Sequence, residues 1–159
     1  MELGAGNPDR AYRALAGGAE VLAASSETGY LATVTSFQSF AALELGRSEE
    51  ALSLSGQALE LAVVDDIDPY ARDRIVRGRV AAQRGDFGAA DELLQEAGRM
   101  LEPTDFAALH LDLALARAEV AGLTGRADEQ RAALADALAV AEAKGHAVAV
   151  ERIRGRLDG

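Results

Sequence analysis

The sequence contains no cysteine and no tryptophan, and it holds only three prolines and 4% aromatic residues. The absence of cysteine excludes disulfide bonds, thiolate metal sites and cysteine nucleophiles. No apolar run approaches the roughly 18 residues that a transmembrane helix needs. The first ten residues, MELGAGNPDR, have neither the basic segment nor the apolar segment of a secretory signal peptide, so we expect a cytoplasmic protein.

Positive charge is also scarce, because 16 Lys+Arg residues stand against 26 Asp+Glu residues and the net charge is -10. Nucleic acids and anionic membranes both attract basic surfaces, so we expect neither as a partner. Lys144 is the only lysine, and this bias towards arginine and alanine is typical of a bacterial protein from a GC-rich genome. A core of alanine and leucine favours closely packed helices over sheets.

Helix boundary signals are frequent in this sequence. Asn7-Pro8 and Asp68-Pro69 each place an N-cap residue before a proline at the first helical position, and Ser48 is expected to cap another helix. Glycines follow several of the predicted helices, at the position where a helix C-terminus usually has a glycine. Between these signals, helical periodicity predicts eight helices, over residues 8–24, 29–45, 48–63, 69–84, 87–101, 105–123, 127–144 and 146–157.

The glycines at these helix ends recur at a nearly constant spacing. Between Gly6, Gly46, Gly85 and Gly125 the successive differences in sequence number are 46−6 = 40, 85−46 = 39 and 125−85 = 40. A fixed period of about 20–50 residues is typical of a solenoid, in which each repeat buries its apolar face against its neighbours. Two helices and a tight turn in each period predict a repeated helical hairpin.

Small residues occupy equivalent positions around these glycines, which lets the two helices of a hairpin approach closely. Five residues after each glycine stand Ala11, Ala51, Ala90 and Gln130. Seven before stand Ser39, Gly78 and Ala118, and twelve after stand Gly18, Ala58, Ala97 and Ala137. Nine after stand Leu15, Ser55, Leu94 and Leu134, of which three are large and apolar and would fill the space between helices.

This pattern resembles the tetratricopeptide repeat family, which has a small residue midway along its first helix, a glycine at the turn and two alanines in its second helix. Phe87 matches the aromatic residue of the family's turn. The sequence departs from the family in its period of about 40 rather than 34 residues, in Gln130, and in alanines where the family has a first-helix tyrosine. These alanines are Ala42, Ala81 and Ala121.

The resemblance implies an all-α fold, a right-handed solenoid of antiparallel helix hairpins. It divides a single domain, 1–159, into a partial first repeat (1–26), three repeats (27–66, 67–104 and 105–145) and a capping helix (146–159). The longer period is similar to C-terminal repeat regions of bacterial multidomain cyclases and transcriptional-regulator ATPases. It implies a non-catalytic interaction or regulatory scaffold within a larger signalling protein, with no cofactor.

The two ends of the chain carry different expectations. The first helix lacks a complete hairpin partner, so its apolar face would be covered by a missing part of a longer array or by a second copy through Tyr12, Leu15 and Leu22. The last helix has a narrow apolar stripe of Val150, Ile153 and Leu157, which suits a capping helix with one wet side.

The family resemblance also implies a concave groove lined by the first helix of each hairpin. Arg72 and Arg79 would grip an acidic or C-terminal peptide there, or else form ion pairs with Asp112 and Glu119. A small molecule near Phe40, Ile75 and Leu115 is the alternative occupant. The candidate groove residues are Thr33, Ser36, Phe40, Glu44, Arg72, Ile75, Arg79, Gln83, Asp112, Leu115 and Glu119.

Other chemistry has weaker support in the sequence. Asp65, Asp66 and Asp68 are close enough to hold a hard cation, but Asp68 as a helix cap and the favourable charge of all three at a helix N-terminus explain them more simply. His110 and His146 have no partner at metal-ligand spacing. No serine stands in a motif that would supply a base and an orienting group, so we expect neither a metal site nor an enzyme.

Overall fold

A computed structural model describes residues 7–25, 28–63 and 65–158, and in these ranges the chain forms eight α-helices and no strand. This confirms the all-α prediction, and every predicted helix end lies within two residues of the observed one. The helices are α1 (Pro8–Ser25), α2 (Thr28–Glu44), α3 (Ser48–Leu61), α4 (Ile67–Gln83), α5 (Phe87–Leu101), α6 (Ala107–Leu123), α7 (Ala127–Ala143) and α8 (Ala147–Leu157).

The helices belong to two compact units, unit 1 from Met1 to Val76 and unit 2 from Arg77 to Gly159, and the boundary falls inside α4. In unit 1, α2 packs against both α1 and α3. In unit 2, each of the helices from α5 to α8 packs against the next one along the chain. No helix among the described residues is both long enough and apolar enough to cross a lipid bilayer.

Four turns share one hydrogen-bonded geometry, in which a glycine adopts a left-handed conformation. Gly46, Gly85, Gly125 and Gly145 have φ values of 73°, 82°, 70° and 67°. The residue after each glycine donates its N–H over 2.9 Å to the carbonyl five residues earlier, as Arg47 does to Ala42. This is the Schellman motif, and it satisfies carbonyl groups that the helix end would leave unpaired.

The predicted turn glycines are therefore confirmed at three positions, while Gly6 lies outside the described residues. Gly145 is not part of the predicted period, since it follows Gly125 after only half a period. It ends α7 and leads directly into α8. The same turn thus serves both within the predicted hairpins and before the last helix.

The small residues predicted at the hairpin contacts are mostly buried. Gly18 and Gln130 are the two exceptions, since both are partly exposed. Gly78 shows why size matters, because a Cβ atom there would lie 3.0 Å from Cδ2 of Leu94 and 3.4 Å from the carbonyl oxygen of Ala90. The buried small residues are Ala11, Ser39, Ala51, Ala58, Gly78, Ala90, Ala97, Ala118 and Ala137.

Gln130 replaces the alanine of the other hairpins because space is available beside it. A Cβ atom at Gly122, three residues before the turn glycine, would lie 2.6 Å from Nε2 of Gln130. The corresponding residue is Leu43 in the α2–α3 hairpin and Ala82 in the α4–α5 hairpin, where the facing residue is alanine. A larger residue on one helix is thus matched by a glycine on the other.

Two of the predicted helix caps are wrong. Asn7 does cap α1, because its Oδ1 accepts the N–H of Arg10 at 3.1 Å. The helix after the acidic run begins at Ile67, and Asp66 rather than Asp68 is its cap, since Asp66 Oδ1 accepts the N–H of Asp68 at 3.3 Å. Ser48 is already the first residue of α3 rather than its cap.

The predicted apolar stripe of the last helix is confirmed. Ile153 is buried in the core of unit 2 with residues of α6 and α7, and Val150 and Leu157 pack against the same core. The exposed side carries Arg154, whose guanidinium donates to Glu142 at 2.6 Å. This helix therefore covers the end of the α6–α7 core with one apolar and one charged side.

Candidate functional site

Burial separates the eleven candidate groove residues into two groups. Ser36, Phe40, Arg72 and Ile75 are buried, and all four belong to unit 1. The remaining seven are partly or fully exposed: Thr33 and Glu44 in unit 1, and Arg79, Gln83, Asp112, Leu115 and Glu119 in unit 2. The buried residues cannot receive a partner without rearrangement, so the accessible part of the predicted surface lies mainly in unit 2.

Arg72 is a core residue and its side chain is only 2% exposed. Its Nε donates to Asp68 Oδ1 at 2.7 Å and its second amino group donates to Oδ2 at 3.2 Å, which makes a bidentate pair. The guanidinium also lies over the Phe37 ring, 3.9 Å from the centroid, and 5.2 Å from that of Phe40. Arg72 is therefore enclosed by its own unit, with a carboxylate already bound.

A second buried ionic group adjoins Arg72 along α4. Asp73 is 0% exposed, and it accepts hydrogen bonds from the Ser55 hydroxyl at 2.7 Å and from Arg74 at 2.6 Å. The sequence prediction did not single out Asp73. The signal for it in the sequence was Ser55, because the other three residues that stand nine positions after a turn glycine are leucines.

The buried polar residues of the described chain all belong to unit 1. Ser39 and Ser55 align with Ala118 and Leu134 in unit 2, two periods further along the chain (118−39 = 79 and 134−55 = 79). No buried side-chain nitrogen or oxygen in the described part of the chain lacks a hydrogen-bond partner. The set comprises Thr35, Ser36, Gln38, Ser39, Ser55, Arg72 and Asp73.

In unit 2, the predicted ion pair between Arg79 and Glu119 is present, with Nε of Arg79 donating to Glu119 Oε2 at 2.7 Å. Asp112, Leu115 and Glu119 fall on one face of α6 by their spacing. Leu123 continues this face and is 54% exposed. We call Arg79, Gln83, Asp112, Leu115, Glu119 and Leu123 the unit 2 face.

Leu123 was missed in the prediction, although the repeat contains a signal for it. Glu44 and Gln83 stand two residues before their turn glycines, and Leu123 stands two residues before Gly125. The aligned position thus becomes apolar only in the third hairpin. Leu115 packs against the unit 2 core, so Leu123 is the more accessible apolar side chain of the two.

An arginine follows the turn glycine in two hairpins and contacts residues at the same sequence offsets in both. Arg47 lies 5.0 Å from the centroid of the Tyr12 ring and pairs with Glu50 at 3.5 Å. Arg126 pairs with Asp91 at 3.0 Å and with Glu129 at 3.0 Å. Each arginine contacts a residue 35 positions earlier, since 47−12 = 35 and 126−91 = 35, and a glutamate three positions later. The two units therefore share this pattern of contact positions.

The surroundings of Tyr12 bear on its predicted role in a dimer. Its hydroxyl donates a hydrogen bond to Glu50. This hydrogen bond is the largest of the causes that raise the pKa of Tyr12 above its ordinary value of 10.0, and burial is the next largest. Leu15 and Leu22 are partly buried, whereas Val21 and Tyr30 are 69% and 70% exposed. The most exposed apolar residues near the end of α1 are therefore not those that the sequence suggested.

The acidic run and the histidines take structural positions. Asp66 caps α4 and Asp68 pairs with Arg72, which accounts for two of the three aspartates. His110 Nε2 lies 3.1 Å from the carbonyl oxygen of Thr104, and His146 is at the N-cap position of α8. Among the described residues, no group of three or more histidines, aspartates and glutamates is placed to hold a metal ion.

Comparison with known proteins returned no relationship. No protein-family model matches the chain, and no curated protein or solved structure matches it. The resemblance to tetratricopeptide repeats therefore rests on the residue pattern and stays a prediction.

Proposed function

We propose that this chain is a non-catalytic scaffold that binds a protein or peptide partner, within a larger bacterial signalling or transcription-regulating protein. Its hairpins would stack as a right-handed solenoid of the tetratricopeptide type. The observation that carries the proposal is the repeated contact of Arg47 and Arg126 around equivalent glycine turns. Such repetition is typical of arrays that present an extended binding surface.

The unit 2 face is the surface that we assign to the partner. It combines an accessible apolar side chain, Leu123, with polar groups of α4 and α6. Arg72 is not part of this surface, because it is buried against Asp68, Phe37 and Phe40. The acidic-peptide hypothesis therefore loses one of the two arginines on which it depended, and Arg79 is already paired with Glu119.

Site-directed photocrosslinking in the native host tests this assignment. A photoreactive amino acid at Leu123 should give a discrete crosslinked protein, because an apolar side chain on a binding surface is covered in the complex. The matched control is the same amino acid at Ala135, which is exposed on α7, the second helix of the same hairpin. Equal crosslinking at both positions, or none at Leu123, would refute the assignment.

A small-molecule sensor is the second candidate function. The site predicted for it, near Phe40, Ile75 and Leu115, is not supported, because Phe40 and Ile75 are buried. A different cleft of about 370 Å³ between α6 and α7 is the feature that favours a ligand. Ligand clefts commonly have volumes of about 300–1,000 Å³, so this one is large enough for a small metabolite.

A further inference from the structure

The cleft between α6 and α7 is lined by charged, polar and apolar residues. His110 and Arg117 contribute from α6, and Asp136 contributes from α7. Apolar lining comes from Leu113, Ala114, Ala139 and Val140.

Arg117 and Asp136 line this cleft without pairing with each other or with another charged residue of the described chain. Arg117 makes one long hydrogen bond, over 3.4 Å, to the carbonyl of Leu94, which leaves most of its guanidinium donors available. Gly98 permits this position, because a Cβ atom there would collide with the Arg117 guanidinium. The cleft therefore offers a cation and a carboxylate that a ligand could reach.

His110 adds a hydrogen-bond acceptor on the α6 side of the cleft. Its Nε2 lies 3.1 Å from the carbonyl oxygen of Thr104, and a carbonyl can only accept a hydrogen bond. In the neutral ring Nε2 therefore carries the proton, and Nδ1 is left as an acceptor. An ammonium group could bind Nδ1 and the Asp136 carboxylate, while a carboxylate would bind the fork of Arg117.

A larger cleft in unit 2 differs because its arginine is already in an ion pair. It measures about 750 Å³ and is lined by residues of α7, of α8 and of the segments next to them. Its arginine, Arg154, is already paired with Glu142 at 2.6 Å. A ligand that binds Arg154 would compete with that ion pair, whereas Arg117 in the cleft between α6 and α7 has no ion-pair partner among the described residues.

We propose that the cleft between α6 and α7 binds a free α-amino acid with a small apolar side chain. The Arg117 guanidinium would bind the carboxylate, Asp136 and His110 would bind the ammonium group, and the apolar lining residues would contact the side chain. This site is separate from the unit 2 face and does not depend on the scaffold function. Because the cleft is open and the ligand small, we expect a dissociation constant of about 1–10 mM.

Proton NMR of the full chain at constant pH tests the proposal, because the protein has only two histidines. Titration with L-valine should shift the C2 proton of His110 saturably. It should leave His146 unchanged, because that residue is at the N-cap position of α8 and does not line the cleft. A His146→Asn variant assigns the two resonances. Isobutylamine and isovalerate, which each lack one charged group of valine, should bind at least about tenfold more weakly.

Variants separate this site from nonspecific binding. Arg117→Gln and Asp136→Asn should each weaken L-valine binding by about tenfold or more, because each removes a charge-assisted contact. The controls Arg99→Gln and Glu92→Gln change exposed residues of α5 outside the cleft and should bind normally. Circular dichroism establishes that each variant is folded, and Arg117→Lys provides a second test at the same position.

Several results would overturn the proposal. One is the absence of a His110 shift up to about 50 mM L-valine, which lies well above the expected dissociation constant. Another is an equal shift of His146. A third is isovalerate binding as tightly as valine, since this would show a simple anion site.

Discussion

Asp73 carries a charge in the core of unit 1, and its neighbours explain how the core accommodates it. Its hydrogen bonds come from Ser55 on α3 and from Arg74 beside it on α4. Asp68 and Arg72 form a second pair on the same helix, so positive and negative charges alternate there. Buried ionic groups need such partners, because an isolated buried charge is strongly unfavourable.

Replacing Ser55 by alanine tests the importance of this contact. Ser55→Ala removes one hydrogen bond to a buried carboxylate, so we expect the free energy of unfolding to fall by about 1–3 kcal/mol. The control Ser53→Ala changes an exposed serine of the same helix and should alter stability by less than about 0.5 kcal/mol. Urea denaturation measures both, and equal effects of the two variants would contradict a structural role for the buried pair.

Tyr12 gives a prediction that depends on pH. Its pKa in the folded chain is raised above 10.0 by the hydrogen bond to Glu50 and by burial. The pKa of Tyr12 is therefore higher in the folded chain than in the unfolded chain, where it is about 10. Its contribution to stability is complete below about pH 10 and is lost as the pH rises through the pKa of the folded chain. The wild type should therefore lose stability relative to Tyr12→Phe above about pH 10.

Absorbance at 295 nm measures the same ionisation directly. The difference between the wild-type and Tyr12→Phe titration curves isolates Tyr12 from the other two tyrosines. Its midpoint should lie above pH 10, the ordinary tyrosine value. A midpoint at or below pH 10 would show that the Glu50 hydrogen bond is absent in solution.

At the scale of the element, the glycine turns define where each helix ends. Gly85 has a φ of +82° and accepts no side chain without strain, although there is space around it. Gly56 also has space around it but lies within α3, where the backbone is helical. The two glycines therefore differ in backbone conformation and not in crowding.

Alanine at these two positions should have opposite effects. Gly85→Ala places a Cβ in the left-handed region, so we expect destabilisation by about 1–2 kcal/mol. Gly56→Ala should stabilise the chain by about 0.5–1 kcal/mol, because glycine is a poor helix former. Thermal unfolding measures both effects, and a stabilising Gly85→Ala substitution would mean that this turn is not left-handed.

The helices and turns could be predicted from sequence because each follows from a local preference. A glycine at a helix end acts within a few residues of the chain, and the small residues bring together helices that are adjacent in sequence. The predicted cap was Asp68, because it directly precedes Pro69, whereas the observed cap is Asp66. The identity of the cap depends on where α4 begins, and the pairing of Asp68 with Arg72 accompanies it.

The candidate site was less predictable than the fold. The Arg79–Glu119 pair was one of the two alternatives that the repeat register left open for Arg79, and it is present. The burial of Arg72 was not expected, because arginine is normally exposed and the two rings that enclose it, Phe37 and Phe40, come from a different helix. Leu123 could be found only by comparing the residues two positions before each turn glycine, which are Glu44, Gln83 and Leu123.

At the scale of the whole molecule, the two units differ in charge and in core chemistry. Unit 1 has 5 basic and 12 acidic residues in the sequence, a net charge of -7, and unit 2 has 11 and 14, a net charge of -3. The buried polar residues of the described chain also belong to unit 1. Stability should therefore depend on different interactions in the two units.

Hydrogen exchange tests whether the units respond independently. In repeat proteins a substitution acts mainly on its own repeat and the adjacent ones. On the proposed repeat architecture, Ser55→Ala should therefore reduce amide protection in α2, in α3 and in the part of α4 that belongs to unit 1, and leave α6, α7 and α8 nearly unchanged. Mass spectrometry of exchanged peptides resolves these segments, and a uniform loss of protection would show that the chain unfolds as one cooperative unit.

The two units are proposed to repeat one arrangement of helices around equivalent turns, and a crystal structure of the chain is the most direct test. We predict that α1–α3 superposes on α5–α7 best when Gly46 is aligned with Gly125. Arg47 and Tyr12 should then overlie Arg126 and Asp91, and both glycines should have positive φ. A better superposition in another register, or right-handed helical backbone at those glycines, would contradict the repetition.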